Sequence, residues 1–186
     1  MEIIMILNIS VLSENWSEFS ASEPATRFSV LSDLESKGEV RFTSPLDIAL
    51  SARTQGGQVE VKGTVSVTVK HPCGRCLEPF TEALTADVDL RFVEEGVHAY
   101  ETKVADEVEL TEEALTRETF SGDSIDLSAN LQDEVIMALP QNPICNATCK
   151  GLCRECGKNL NQGACDCDVA TGHPAFAKLK VLKGGK

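Results

Sequence analysis

The chain has 186 residues, of which 42% are hydrophobic and only 5% aromatic, and a formal net charge of −12. This length suits one domain, or one domain with a small appendage, around a core made mostly of Val, Ile, Leu and Ala. The charge argues against broad nucleic-acid binding, whose sequence-independent part is attraction to phosphate. No run of 18 apolar residues offers a membrane span, so no membrane partner is expected.

The apolar start, Met1 to Ile9, lacks a basic leader and a small-residue cleavage site. It reads as a first strand over 3–11 rather than a secretory signal. A cytoplasmic protein is therefore expected, in a compartment where thiols stay reduced and eight cysteines favour metal over disulfides. Residues 13–42 mix Ser, Glu and Pro with scattered apolar positions (Phe19, Phe28, Val30, Leu31, Leu34) and read as loop with a short element. Leu46, Ile48 and Leu50 then share one face of a strand, and Gln55-Gly56-Gly57 marks a turn.

The clearest strand runs from Val59 to Lys70, where Val59, Val61, Val65, Val67 and Val69 alternate with Glu60, Lys62, Thr64, Ser66, Thr68 and Lys70. Such alternation predicts one buried face and one wet face. After Cys73-Gly74-Arg75-Cys76 it resumes as Phe80, Leu84, Ala86, Val88, Leu90 and Phe92, so the CxxC should tip an antiparallel hairpin within an antiparallel meander. The acidic stretch 94–120 reads as a solvated segment with a mobile insertion at 95–105 and a short strand at 106–110. A helix follows. Leu127, Leu131, Val135, Ala138 and Leu139 recur at helical spacing, Asp126 or Ser128 offers a cap, and Pro140 ends it. A second, closing helix is expected over 173–183, with Pro174 in its first turn and Phe176, Leu179 and Leu182 on one side. The expected fold is α+β: an antiparallel β-sheet meander with a CxxC-tipped hairpin, a covering helix and a C-terminal cysteine-rich zinc-binding module. Its β-rich core with the helix spans 1–140, and the module with its closing helix spans 141–186.

Six of the eight cysteines lie between Cys145 and Cys167. Zinc takes four ligands in a tetrahedron, and a CxxC turn lets two sulfurs converge on one ion. Cys153-Arg154-Glu155-Cys156 is followed by a glycine, Gly157, which relieves the backbone where a left-handed conformation is needed. With Cys165 and Cys167 these thiols make one local set of four. Cys73 and Cys76 with Cys145 and Cys149 make a second, so two zinc ions are expected. Cys149 lies only four residues from Cys153, which leaves another partition open. His71 could substitute as a ligand, but a lone histidine at a strand end is more often structural; His98 and His173 take the same bland reading. A redox CxxC should open a helix after a strand, whereas Cys73 and Cys76 sit between two strands. No Ser-His-Asp grouping, P-loop or GxGxxG accompanies the cysteines, so an enzyme is not expected.

The charge is unevenly spread. Residues 141–186 carry seven basic against three acidic side chains, +4, which leaves −16 for the first 140. An acidic body suits a basic protein partner, while Arg154, Lys158, Lys178, Lys180 and Lys183 are the candidate contacts to RNA.

Taken together, Cys73-Gly74-Arg75-Cys76-Leu77-Glu78-Pro79-Phe80, Ile125-Asp126-Leu127, Leu139-Pro140, Cys149-Lys150-Gly151-Leu152-Cys153, Cys156-Gly157-Lys158-Asn159-Leu160-Asn161, Cys165-Asp166-Cys167 and His173-Pro174 resemble the YceD family, the large ribosomal RNA subunit accumulation proteins of bacteria and plastids. The resemblance covers roughly residues 45–186. It implies a non-enzymatic role in 23S rRNA accumulation or processing and large-subunit assembly, with a large-subunit ribosomal protein or assembly factor as partner. Some members lack most of the C-terminal cysteines, which supports treating Cys153, Cys156, Cys165 and Cys167 as a separate site. Where the family more often has an acidic residue before Pro174, this chain has His173. Direct rRNA binding through the basic tail and a thiol redox protein are the alternative readings.

Overall fold

The computed structural model describes residues 6–95 and 117–167. The insertion expected at 95–105 and the strand expected at 106–110 lie outside them except for Glu95, as do His98, His173, the closing helix at 173–183 and Lys178, Lys180 and Lys183. The chain divides into two compact units, Met1–His71 with Phe80–Gln141, and Pro72–Pro79 with Asn142–Lys186.

The first unit is built on eight strands among the described residues: β1 (Ile6–Asn8), β2 (Ser17–Glu23), β3 (Arg41–Phe42), β4 (Leu46–Gln55), β5 (Gln58–Pro72), β6 (Pro79–Glu94), β7 (Arg117–Phe120) and β8 (Ser124–Asp126). Two helices join them, α1 (Ser29–Ser36) and α2 (Ser128–Ala138). The main sheet has the order β2-β4-β5-β6-β7, with β3 pairing Val69 and Lys70 near the end of β5. β1 and β8 form a separate antiparallel pair. Gly56 and Gly57, at φ 61° and 77°, turn β4 into β5. This two-residue connection has the left-handed dihedrals that match the strands' twist.

The alternation read from the sequence is the alternation of burial. Leu46, Ile48, Leu50 and Ala52 on β4 face inward with Val59, Val61, Val65, Val67 and Val69 on β5 and Val88 and Phe92 on β6. The wet face carries cross-strand polar pairs, including Arg53 with Glu60 at 2.7 Å and Lys62 with Asp89 at 3.2 Å. One expectation fails at the far edge. β7 runs parallel to β6, so the sheet is mixed rather than an antiparallel meander. A parallel neighbour needs a connection of about a dozen residues or more, and the long stretch of chain before Arg117 provides that length.

Residues 13–42 also depart from expectation. They hold β2, a 3-10 turn at Ala25–Arg27, α1 and β3 rather than a loop with one short element. β2 pairs with β4 over its whole length, but of its half-buried positions Ser17, Phe19 and Ala21 only Phe19 is large and apolar, too little to announce a strand. α1 begins after Phe28, which has no side-chain acceptor to offer. The acceptor comes from α2 instead, where Gln132 Oε1 takes the Val30 N–H at 2.8 Å. This explains why a glutamine is buried among apolar neighbours, since an unpaired helix N–H is costly to bury.

α2 follows the sequence pattern closely. Leu127, Leu131 and Val135 are buried against the sheet's core, and Asp126 Oδ1 accepts the Ser128 N–H at 2.9 Å. Neither expected residue takes the cap position itself: that is Leu127, which offers no side-chain acceptor, and Ser128 is the first helical residue. The strand expected at 3–11 is described as β1, followed by a 3-10 turn at Ile9–Val11. His71 is buried with its ring 4.6 Å from that of Phe80 and Nε2 3.3 Å from Glu82 Oε2, a structural placement. No helix among the described residues is long and apolar enough to cross a membrane.

The second unit has a different interior. Among its described residues only Cys73, Cys76, Cys149, Cys153 and Gly151 are buried. Among these described residues no apolar core offsets the entropy of ordering the chain.

Candidate metal centres

Two turns in the second unit share one backbone pattern. In Cys73–Glu78 the Leu77 N–H donates to the Cys73 carbonyl at 2.9 Å, and the Cys73 N–H to the Glu78 carbonyl at 2.9 Å. In Cys153–Lys158 the Gly157 N–H donates to the Cys153 carbonyl at 2.9 Å, and the Cys153 N–H to the Lys158 carbonyl at 2.8 Å. The residue after the second cysteine must turn left-handed in both. Gly157 has φ 72° and Leu77 has φ 61°, the one non-glycine with positive φ among the described residues. This geometry aims both sulfurs of a CxxC at a common point.

Each turn meets a second pair of cysteines. Cys73, Cys76, Cys145 and Cys149 form one group and Cys153, Cys156, Cys165 and Cys167 another, with the sulfurs of each within 4.8 Å of one another. Cys73 and Cys149 are 3.9 Å apart at their sulfurs, and Cys76 and Cys145 are 3.8 Å apart. Sulfurs about 2.3 Å from a central zinc would stand about 3.8 Å apart at the corners of a tetrahedron, whereas a disulfide requires about 2.0 Å. All eight cysteines are free. The donor set therefore fits a tetrahedral metal ion in each group and does not fit two disulfides.

The thiols' proton affinities diverge within each group. Cys73 is lowered from 9.0 to about 6, first by the Cys145 N–H, against the opposing effect of burial. Cys145 is pushed up to about 12, first by loss of hydration and then by the neighbouring sulfurs. In the second group Cys153 is lowered to about 7, first by the Cys156 N–H, while Cys167 is pushed up to about 12, first by its contact with Cys156. Four sulfurs this close cannot all ionise alone, because each thiolate disfavours the next. A cation among them would remove that conflict.

The first group has an outer layer of polar side chains. Arg75 Nη1 donates to the Cys149 carbonyl at 3.1 Å, and the Arg75 and Cys145 N–H groups point at Cys73 Sγ at 3.4 Å. Asn161 Nδ2 reaches Cys149 Sγ at 3.3 Å. Glu78 Oε1 accepts from Gln162 Nε2 at 3.2 Å and from Asn159 Nδ2 at 3.5 Å. Cys76, Cys145, Cys149 and these amide groups line an open pocket of about 460 Å³. None of these partners is visible in the cysteine spacing, because a hydrogen bond to sulfur imposes no periodicity on the sequence.

The model of the large ribosomal RNA subunit accumulation protein YceD matches residues 61–183, a span that includes every cysteine. The chain belongs to the YceD family. An uncharacterised protein of Mycobacterium tuberculosis is 33% identical over 145 residues, covering 75% of this chain and 62% of that protein. One of Mycobacterium leprae is 31% identical over 136 residues, covering 73% and 55%. A chloroplastic relative in Arabidopsis thaliana, named large ribosomal RNA subunit accumulation protein YCED homolog 1, is 24% identical over 157 residues, covering 75% and 49%. The chain thus spans about half to three fifths of the length of these relatives. No solved structure matches it significantly.

Within this YceD chain the basic candidates divide. Arg154 is exposed at the apex of its CxxC turn. Lys158 is also exposed, but its ammonium donates to the Ala164 carbonyl at 2.7 Å and so ties the loop between Cys156 and Cys165. Lys178, Lys180 and Lys183 lie outside the described residues.

Proposed function

We propose that this chain is a non-enzymatic, cytoplasmic factor that supports accumulation of 23S rRNA and assembly of the large ribosomal subunit. In this reading the eight cysteines bind two zinc ions that shape the second unit, and the acidic first unit takes a basic large-subunit ribosomal protein or assembly factor. The supporting observation is the pair of four-sulfur groups, each with its sulfurs within 4.8 Å of one another. With all four donors supplied by cysteine, a zinc ion keeps no open position for water or substrate, as a structural site requires and a catalytic one does not. The link to ribosomal RNA rests on the family and on the name of its plant relatives.

The test is capture from cells followed by depletion. Tagged protein should recover a large-subunit component, and its capture should weaken with salt because the contact is charge-led. Deleting the gene should lower 23S rRNA relative to 16S. Unchanged 23S levels, with no large-subunit component recovered, would overturn the proposal.

RNA contact through the second unit is a second reading, favoured by the exposed Arg154. It predicts a salt-sensitive gel shift that Arg154→Glu with Lys178→Glu, Lys180→Glu and Lys183→Glu abolishes. Lys158→Glu belongs in a separate variant, because its bond to Ala164 makes it structural as well.

A further inference from the structure

The two cysteine groups share a loop. Residues 157–164 connect Cys156 to Cys165 and so close the second group, yet their side chains and backbone are spent largely on the first. Asn161 donates from Nδ2 to Cys149 Sγ at 3.3 Å and accepts the Lys150 N–H on Oδ1 at 2.8 Å. Its own position is held by Asn159, whose Oδ1 accepts the Asn161 N–H and Nδ2 at 3.0 Å each. The Leu160 N–H donates to the Gly151 carbonyl at 2.9 Å, and Leu152 forms a β-bridge with Asn159. Asn159 and Gln162 both reach Glu78, two residues after Cys76. The linker 150–152 between Cys149 and Cys153 is thus zipped against this loop along its length.

We infer that Asn161 is a positioning residue for the first metal site and that the loop couples the two sites, so that metal in the second group strengthens its retention in the first. This rests on the reading of both groups as metal centres. An ion bound by Cys156 and Cys165 closes the loop, which otherwise carries its full closure entropy. The closed loop holds the Asn161 amide against Cys149, where its N–H offsets thiolate charge and orients the sulfur. Partners of this kind change metal affinity by about 10- to 100-fold when removed. The coupling is reciprocal, so occupancy of the first group equally favours the second.

The experiment loads the full chain with ¹¹³Cd and with Zn²⁺, and compares it with Asn161→Ala, Asn161→Gln and the double variant Cys156→Ser/Cys165→Ser. Two ¹¹³Cd resonances are expected in the parent, and the one lost in the double variant identifies the second site. Asn161→Ala should shift the other resonance and speed zinc loss from the first site to a chelator by about 10-fold or more. The double variant should speed that loss at least as much. Asn161→Gln, which keeps the amide donor, should recover part of the lost retention. Unchanged first-site release and an unshifted resonance in Asn161→Ala, with two ions still bound, would overturn the coupling and leave the metal reading intact. A natively folded parent that binds no metal would overturn that reading, and the coupling with it.

Discussion

The two units solve the same problem with different materials. The first orders its chain by burying twenty apolar side chains among the described residues in one cluster. The second buries four cysteines and a glycine among those described, and its remaining order is hydrogen bonds to sulfur, to amides and to backbone. A hydrophobic core degrades gradually when one group is trimmed, whereas a structure centred on an ion is kept or lost with the ion. The sharpest test of this difference is metal removal. On the proposed zinc reading, a strong chelator with mild denaturant should unfold the second unit, since each ion would be worth about 10–16 kcal/mol by analogy with small zinc modules. The sheet of the first unit should persist. Hydrogen exchange resolves the two: protection should vanish at Gly157 and Leu160 and remain at β4 and β5. Equal loss in both units would erase the distinction.

A core deletion should do the reverse. Leu131 is fully buried on α2. Leu131→Ala should cost about 2–5 kcal/mol of stability, from lost transfer energy and the cavity left behind. The variant should still bind its full complement of metal. A denaturation midpoint unchanged from the parent would remove α2 from the core.

How far the sequence announces these regions follows from the same contrast. β5 and α2 are legible because burial on one face imposes a period, as Val59 to Val69 and Leu127 to Val135 show. The CxxC pairs are legible because short turns set ligand spacing, but the partition into fours stays open in the sequence until the fold sets Cys145 and Cys149 beside Cys73 and Cys76. β2 is not, because Ser17 and Ala21 fill half-buried positions without apolar bulk. The parallel β7 is illegible for another reason: four residues beginning at Arg117 carry no sign of strand direction. Gln132 and Asn161 are hidden most fully. Each acts through a hydrogen bond to a group far along the chain or to a sulfur, and composition registers only a polar residue.

The cysteine groups should also respond to acid in a way the apolar core does not. Cys73 and Cys153 have folded values lowered from 9.0 to about 6 and about 7, so the stability they contribute is complete above about pH 9 and is lost as pH falls through those values. Cys145 and Cys167, pushed up to about 12, still hold protons at neutral pH before an ion arrives. Metal uptake near pH 7.5 should therefore expel at least one proton from each group. Affinity should fall about tenfold per pH unit for each proton released. Calorimetry in two buffers of different ionisation enthalpy measures that release, and a heat independent of buffer would contradict it.

The finest comparison lies between the two CxxC turns themselves. They share their hydrogen bonds and differ at the left-handed position, where one has Gly157 and the other Leu77. Leucine there incurs a steric penalty of about 1–2 kcal/mol that glycine avoids, partly offset by glycine's greater freedom when unfolded. Its side chain gains little in return within the chain, being 64% exposed. Leu77→Gly should therefore raise the stability of the second unit by about 1 kcal/mol, and Gly157→Leu should lower it by a similar amount. Both should read out as shifts in chelator competition, larger at the site of the altered turn than at its coupled neighbour. A stabilised Leu77→Gly variant that also recovers less large-subunit material from cells would mean that the strained leucine is kept for contact rather than for the fold. If the variant is instead less stable, the two turns are not equivalent, and the Leu77 side chain holds the first site in a way its exposure does not suggest.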